Sequence, residues 1–107
     1  MIQLQAGRQN VEIKFVKRKV RDDGEEYFIV LLENETGGMW DTIFISDTGR
    51  LKFFSILQHV AYKYNLQGNW TAQKIEYELR TLVGRKVSVD VIQNERGHYE
   101  AIGYKKV

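Results

Sequence analysis

The chain has 107 residues, with two histidines, no cysteine and no proline, and its formal net charge at pH 7 is +2. This length predicts one domain, residues 1–107, with a single core. The absence of cysteine excludes disulfide bonds and cysteine-ligated metal sites. No segment is long and apolar enough to span a bilayer, and the N-terminal residues do not form a secretory signal, so we expect an intracellular protein.

Charge is segregated along the chain. Residues 1–21 carry six basic side chains and one acidic one, whereas residues 22–35 carry six acidic side chains and no basic one. A basic stripe of this kind is typical of proteins that bind nucleic acid. It is equally compatible with a hairpin whose two arms pair their charges across the ladder. The sequence leaves both interpretations open.

Two strands are predicted in the first third of the chain. From Gln9 to Val20 apolar residues alternate with polar ones until the pattern slips at Phe15 and Val16, which indicates a β-bulge or a bend. A turn at residues 22–25 leads to a second strand from Glu26 to Glu35. The centre of that strand is continuously apolar, so we expect both of its faces to be covered.

A third strand is predicted from Met39 to Ser46, directly after a Gly-Gly turn. Alternation places Trp40 and Phe44 on one face, and Asp41 with Ile43 on the other. A carboxylate is costly to bury, but Asp41 lies at the strand end, from which it can reach solvent. Trp40 and Phe44 are interpreted either as core residues or as exposed stacking residues.

A helix is predicted from Gly49 to about Tyr64, because the apolar period changes there to about 3.6 residues. We expect Phe54 and Leu57 to lie in the core. The predicted apolar stripe consists of Leu51, Phe54, Leu57 and Ala61, broadened by Phe53, Ile56, Val60 and Tyr64.

The last part of the chain predicts a second helix and two strands. Thr71 is a suitable N-cap for the helix, and Gly84 is a suitable stop. Strands are predicted from Lys86 to Gln93 and from His98 to Lys105. Gly103 inside the last strand indicates a bend or a close backbone approach.

The predicted fold is all-β with one or two helices. Three strands, a helical segment and two further strands follow one another, which is the order of the five-stranded oligonucleotide/oligosaccharide-binding barrel (OB-fold), with its helix between strands 3 and 4. Ligands of that fold bind to the face of strands 2 and 3 and to the loops between strands 1 and 2 and strands 4 and 5.

The chain also resembles a known family. The segment WDTIFISDTGRLKFFSILQHV, followed by LVGRKVSVDV and HYEAIGYKKV, is similar to the small single-stranded DNA-binding proteins of phages of Gram-positive bacteria, including lactococcal phages. The resemblance covers most of the chain from about Val11. It implies sequence-nonspecific binding of single-stranded DNA during phage DNA replication or recombination, in the cytoplasm of the bacterial host. It further implies a homodimer or higher homo-oligomer, with phage or host replication and recombination proteins as additional partners.

Candidate binding residues follow from the way in which single strands are held, by stacking of bases on aromatic rings and by a basic groove for phosphates. Trp40 and Phe44 share a strand face and are the first two stacking candidates, and Tyr27 adds a third ring. The candidates for phosphate contacts are Lys14, Lys17, Arg18, Lys19 and Arg21, helped by Arg96 and Lys105.

Catalysis is not expected. His59 lies within the predicted helix and His98 follows a turn glycine, and each is interpreted as a structural or solvated imidazole. The acidic segment 22–26 lacks the spacing of a calcium loop, so no metal and no cofactor is expected. Two alternative functions stay open: a protein-interaction barrel that uses the apolar face of strands two and three, and an RNA-binding OB module.

Overall fold

A computed structural model describes all residues from 1 to 107. The predicted order of five strands, with the helical segment between the third and the fourth, is confirmed. Neither helix combines the length and the apolar character that crossing a membrane would require. The elements are β1 (Gly7–Val20), β2 (Glu26–Asn34), β3 (Gly37–Phe44), α1 (Asp47–Ala61), α2 (Ala72–Arg80), β4 (Lys86–Gln93) and β5 (Tyr99–Lys106).

The five strands form one antiparallel sheet in the order β3-β2-β1-β4-β5. The long strand β1 serves two neighbours, because residues 7–12 pair with β4 and residues 12–20 pair with β2. Between Ile13 and Phe15 the register shifts by one residue, so Lys14 is the extra residue of a β-bulge. The predicted slip is confirmed, but it begins at Lys14. As a result, Val16 points into the core and Phe15 points away from it.

The sheet is not a closed barrel, contrary to the sequence prediction. It runs from β3 to β5, and no backbone ladder joins these two outer strands. A side chain bridges the gap instead, since the backbone N–H of Ala101 in β5 donates to Oδ1 of Asp41 in β3 over 3.1 Å. The two strands therefore contact each other here through the side chain of Asp41, without the paired backbone groups that a closed barrel requires.

The core lies between the inner face of the sheet and the two helices. On β4 the alternate residues Val87, Val89 and Val91 are buried. Leu4 is also fully buried, although it precedes the first predicted strand. It is held there because the adjacent Gln3 forms a parallel bridge with Gly38 at the start of β3.

Helix α1 buries only part of the wide apolar stripe predicted for it. Its buried residues are Phe53, Ile56, Leu57 and Val60. Leu57 is therefore in the core as expected, but Leu51 and Tyr64, which were assigned to the apolar stripe, are 67% and 68% exposed.

Phe54, also predicted to be buried, is only partly so. Its ring packs edge-on against Trp70 of the loop after α1, with ring centroids 5.7 Å apart. The loop after α1 therefore covers part of this side of the helix.

Both helices begin at capping side chains. The Ser46 hydroxyl accepts a hydrogen bond from the N–H of Gly49, so that α1 starts at Asp47, two residues before the predicted start. The predicted N-cap Thr71 is confirmed, because its hydroxyl accepts from the N–H of Lys74 over 3.2 Å. The second helix ends at Arg80, before the predicted stop at Gly84.

Candidate nucleic-acid interface

The outward side of strands β1 to β3 carries three rows of side chains. Pairing between the strands aligns one residue from each strand in every row. We call these nine residues the outer face. The rows are Phe15 with Leu31 and Trp40, Lys17 with Ile29 and Thr42, and Lys19 with Tyr27 and Phe44.

Aromatic rings occupy the first and the third row. Trp40 and Phe15 meet edge to face, with ring centroids 6.3 Å apart. Phe44 and Tyr27 are 5.9 Å apart at a tilt of 42°. Trp40 and Phe44 are each 40% exposed, and Phe15 is 48% exposed. Rings gathered on one sheet face in this way form an apolar patch of the kind that proteins use for contacts.

The two ring pairs lie at opposite ends of the outer face. Trp40 and Phe44 are four residues apart on β3, or about 13 Å at the usual rise of a strand. They do not form adjacent stacking positions. Each of them is instead accompanied by a second ring from another strand.

Phe15 is the residue that sequence reasoning missed. Its apolar neighbours at Val11 and Ile13 suggested a common inner face, but the bulge at Lys14 turns it outward. The slip in alternation was visible in the sequence. Placing the bulge one residue earlier would have identified Phe15 as exposed.

Lys17 and Lys19 supply positive charge on the same face as the rings. Lys17 is exposed and Lys19 is partly buried, and neither makes an ion pair. Their ammonium groups are therefore available to an anion that lies along β1.

The other predicted basic residues of β1 and its turn are engaged with carboxylates. Arg18 points away from the outer face, and its guanidinium pairs with Glu26 and lies 3.9 Å from Glu76 of α2. Lys14 pairs with Glu12 over 3.0 Å. Arg21 lies 3.4 Å from both Asp23 and Glu25 in the β1–β2 turn. The hairpin interpretation of the segregated charges therefore applies to Arg18 and Arg21, whereas Lys14 pairs within its own strand.

Arg96 and Lys105 belong to the other half of the sheet. Arg96 is exposed in the turn after β4, where its backbone N–H donates to Asn94 Oδ1. Lys105 is exposed on β5 and is aligned with Ser88. The sheet does not align either residue with the three rows.

Carboxylates lie at one end of the outer face. Glu12 and Glu33 are paired directly beyond the row of Phe15. They line an open groove of about 860 Å³, together with Lys14, Glu35 and Lys86. Because three carboxylates face two ammonium groups there, a phosphate chain is favoured at the lysine-bearing rows and not in this groove.

Asp41, which follows Trp40 on β3, is held in a buried polar cluster. Asp41 is fully buried, although its place at the strand end suggested that it could reach solvent. Its carboxylate accepts hydrogen bonds from Lys52 Nζ over 2.9 Å and from the Tyr104 hydroxyl over 2.5 Å, in addition to the N–H of Ala101. Burial, and then the Asp41 charge, raise the pKa of Tyr104 well above its usual value. With Asp41 held inward on three sides, alternation directs Trp40 outward.

His59 and His98 are exposed and make no side-chain hydrogen bond. No three His, Asp or Glu side chains are grouped so as to hold a metal ion. No protein-family model matches the chain, and no match was found among the curated proteins with which it was compared.

Proposed function

We propose that the protein binds single-stranded DNA without sequence preference, using the outer face as its contact surface. The observation that carries the proposal is the pairing of exposed rings with unpaired lysines on one face of three strands. Bases stack on aromatic rings whatever their identity, and lysines attract the phosphates. Ile29 and Leu31 present no hydrogen-bonding atoms in their side chains, so they cannot read base edges.

An OB-type fold is part of the same proposal. It is supported by the strand order, by the bulged strand β1 that serves two neighbours, and by helices placed between β3 and β4. The resemblance to phage single-stranded DNA-binding proteins extends the proposal to phage DNA replication and recombination, in the cytoplasm of a bacterial host. It also suggests a homodimer or higher oligomer, with replication or recombination proteins as further partners.

Fluorescence anisotropy with labelled oligonucleotides tests the proposal. Oligo(dT) should bind, whereas a duplex of the same length should bind much more weakly, because the bases of a duplex are not free to stack on protein rings. Oligo(rU) of the same length reports whether RNA is accepted. Equal affinity for duplex and single strand, or no binding to either, would overturn the proposal.

A protein-interaction surface is the second candidate, favoured by the partly exposed aliphatic strip of Ile29 and Leu31. Apolar surface of this kind can be covered by a partner protein. This function predicts association that is insensitive to salt and no affinity for single strands. The same anisotropy titration, repeated at several salt concentrations, separates the two candidates.

A further inference from the structure

The outer face carries no ring in its middle row. Lys17, Ile29 and Thr42 form that row, and the two ring pairs lie on either side of it. A single strand that runs along the face from Trp40 to Phe44 crosses about 13 Å between rings. Nucleotides at the two ring pairs would therefore meet aromatic rings, whereas the nucleotides between them would meet the side chains of the middle row.

Stacking requires a ring, whereas attraction of phosphate requires only charge. At the middle row Ile29 and Thr42 offer no aromatic surface to a base. Lys17 makes no ion pair there and is exposed, so it can contact the phosphate of a nucleotide whose base stacks on nothing.

We infer that the protein holds a single strand at two separate base positions and holds the intervening segment by its phosphates. One base position is the pair Phe15 and Trp40, and the other is the pair Tyr27 and Phe44. Lys17 binds the phosphodiester between them. This inference rests on the proposed function and adds to it the arrangement of the bound strand.

Oligonucleotides with one missing base test the arrangement. A length series with oligo(dT) first identifies the shortest oligonucleotide that binds with full affinity, because a longer one can slide to a new register. A single abasic residue is then moved through it. Affinity should fall roughly 5- to 150-fold at two separated positions, the value of one lost stack, and should change less than about 3-fold between them.

The complementary change removes charge and leaves the bases in place. A neutral methylphosphonate linkage in the tolerant middle segment should weaken binding to the wild-type protein. It should have little effect on Lys17→Gln, because that variant has already lost the cation. If the methylphosphonate weakens both proteins equally, Lys17 does not bind this phosphate and the inference fails.

Double variants test the same arrangement from the protein side. Phe15→Ala and Tyr27→Ala belong to different ring pairs, so their effects on affinity should add. Phe15→Ala and Trp40→Ala belong to one pair, so their effects should not add. Tyr77→Ala is the matched control, since it removes a tyrosine that is 69% exposed on α2, and its affinity should equal that of the wild type. Each variant is compared only after its circular dichroism and unfolding curve show that it is folded.

The outcomes separate this inference from the proposed function. Failure of oligo(dT) to bind at all overturns both. Binding of oligo(dT) with an even loss at every abasic position, or with additive effects of Phe15→Ala and Trp40→Ala, overturns the two-position arrangement and leaves single-strand binding in place.

Discussion

Three consecutive basic residues of β1 have different electrostatic roles. Lys17 and Lys19 point to the outer face without a carboxylate partner, whereas Arg18 points to the opposite side and pairs with Glu26. Strand alternation alone produces this division. The charge of a basic run in a strand therefore does not act as a unit, and only part of it is available to a ligand.

Charge reversal at the two free lysines should change the salt dependence of binding. If each neutralises one phosphate, Lys17→Glu with Lys19→Glu should reduce the slope of log K against log salt by about 1.4, at about 0.7 per phosphate for a single strand. Oligo(dT) titrations at four or more salt concentrations measure the slope.

The matched control for this prediction is Lys14→Glu with Arg21→Glu, which changes the net charge by the same amount at residues that already pair with carboxylates. The control should keep most of the wild-type slope. A slope that is equally reduced in both double variants would show that binding responds to net charge alone.

Trp40 should contribute to affinity and little to stability. It is 40% exposed, so Trp40→Ala should weaken binding of oligo(dT) by roughly 1–3 kcal/mol. Its free energy of unfolding should change by less than a core substitution would cost, which is about 3–5 kcal/mol for a large aromatic residue. Urea denaturation and anisotropy on the same preparation measure both quantities.

Fluorescence of Trp40 provides an independent measurement. Trp70 packs on Phe53 and Phe54, and its indole N–H donates to Leu66 O, so replacing it would disturb the core. The quenching by oligo(dT) should therefore be compared between wild type and Trp40→Phe. Equal quenching in the two proteins would remove Trp40 from the contact surface.

Helix α1 shows why a sequence pattern can locate a helix and still predict too wide a buried face. Apolar residues occupy nearly every side of the segment, including Leu51, Phe53 and Phe54. Several stripes therefore fit a period of about 3.6 residues. The choice between them depends on packing against the sheet and on a distant loop residue, Trp70, which packs against both Phe53 and Phe54.

Substitution of the two adjacent phenylalanines should distinguish a fully buried ring from a partly buried one. Phe53 is fully buried, so Phe53→Ala should lower the free energy of unfolding by about 3–5 kcal/mol. Phe54→Ala should cost less, because that ring is partly exposed already. Leu51→Ala, at a residue that is 67% exposed, is the control and should change stability least. The prediction fails if Phe54→Ala is as destabilising as Phe53→Ala in urea denaturation.

The whole molecule is predictable from sequence only where local signals decide its structure. The strand Lys86–Gln93 and the N-cap Thr71 were predicted correctly, since alternation and capping act within a few residues. The bridge from Asp41 to Ala101 joins residues 60 positions apart, so no local pattern contains it. The outward direction of Trp40 was one of two open interpretations, and the buried carboxylate beside it is the feature that decides between them.

The Asp41 cluster also makes the stability of the fold depend on pH in the alkaline range. Burial and the neighbouring carboxylate raise the pKa of Tyr104 in the folded protein well above its usual value of 10.0. The unfolded chain releases this proton near pH 10, whereas the folded chain retains it. Above pH 10 the folded state therefore binds more protons than the unfolded state, and its stability falls as pH rises.

Tyr104→Phe should weaken this dependence. Below pH 10 the wild-type protein has the full benefit of the neutral buried phenol. Between pH 10 and the raised pKa of Tyr104 its free energy of unfolding should decrease, with a limiting slope of about 1.4 kcal/mol per pH unit for one proton. The variant is less stable at neutral pH, because Asp41 loses the hydrogen bond from the hydroxyl, but its curve should decline less steeply above pH 10. Urea denaturation at several pH values from about 9 to about 11.5 measures both slopes.

Tyr77→Phe removes a phenol that is 69% exposed and should follow the wild-type curve. Parallel decline of wild type and Tyr104→Phe would show that the buried phenol does not control the alkaline transition.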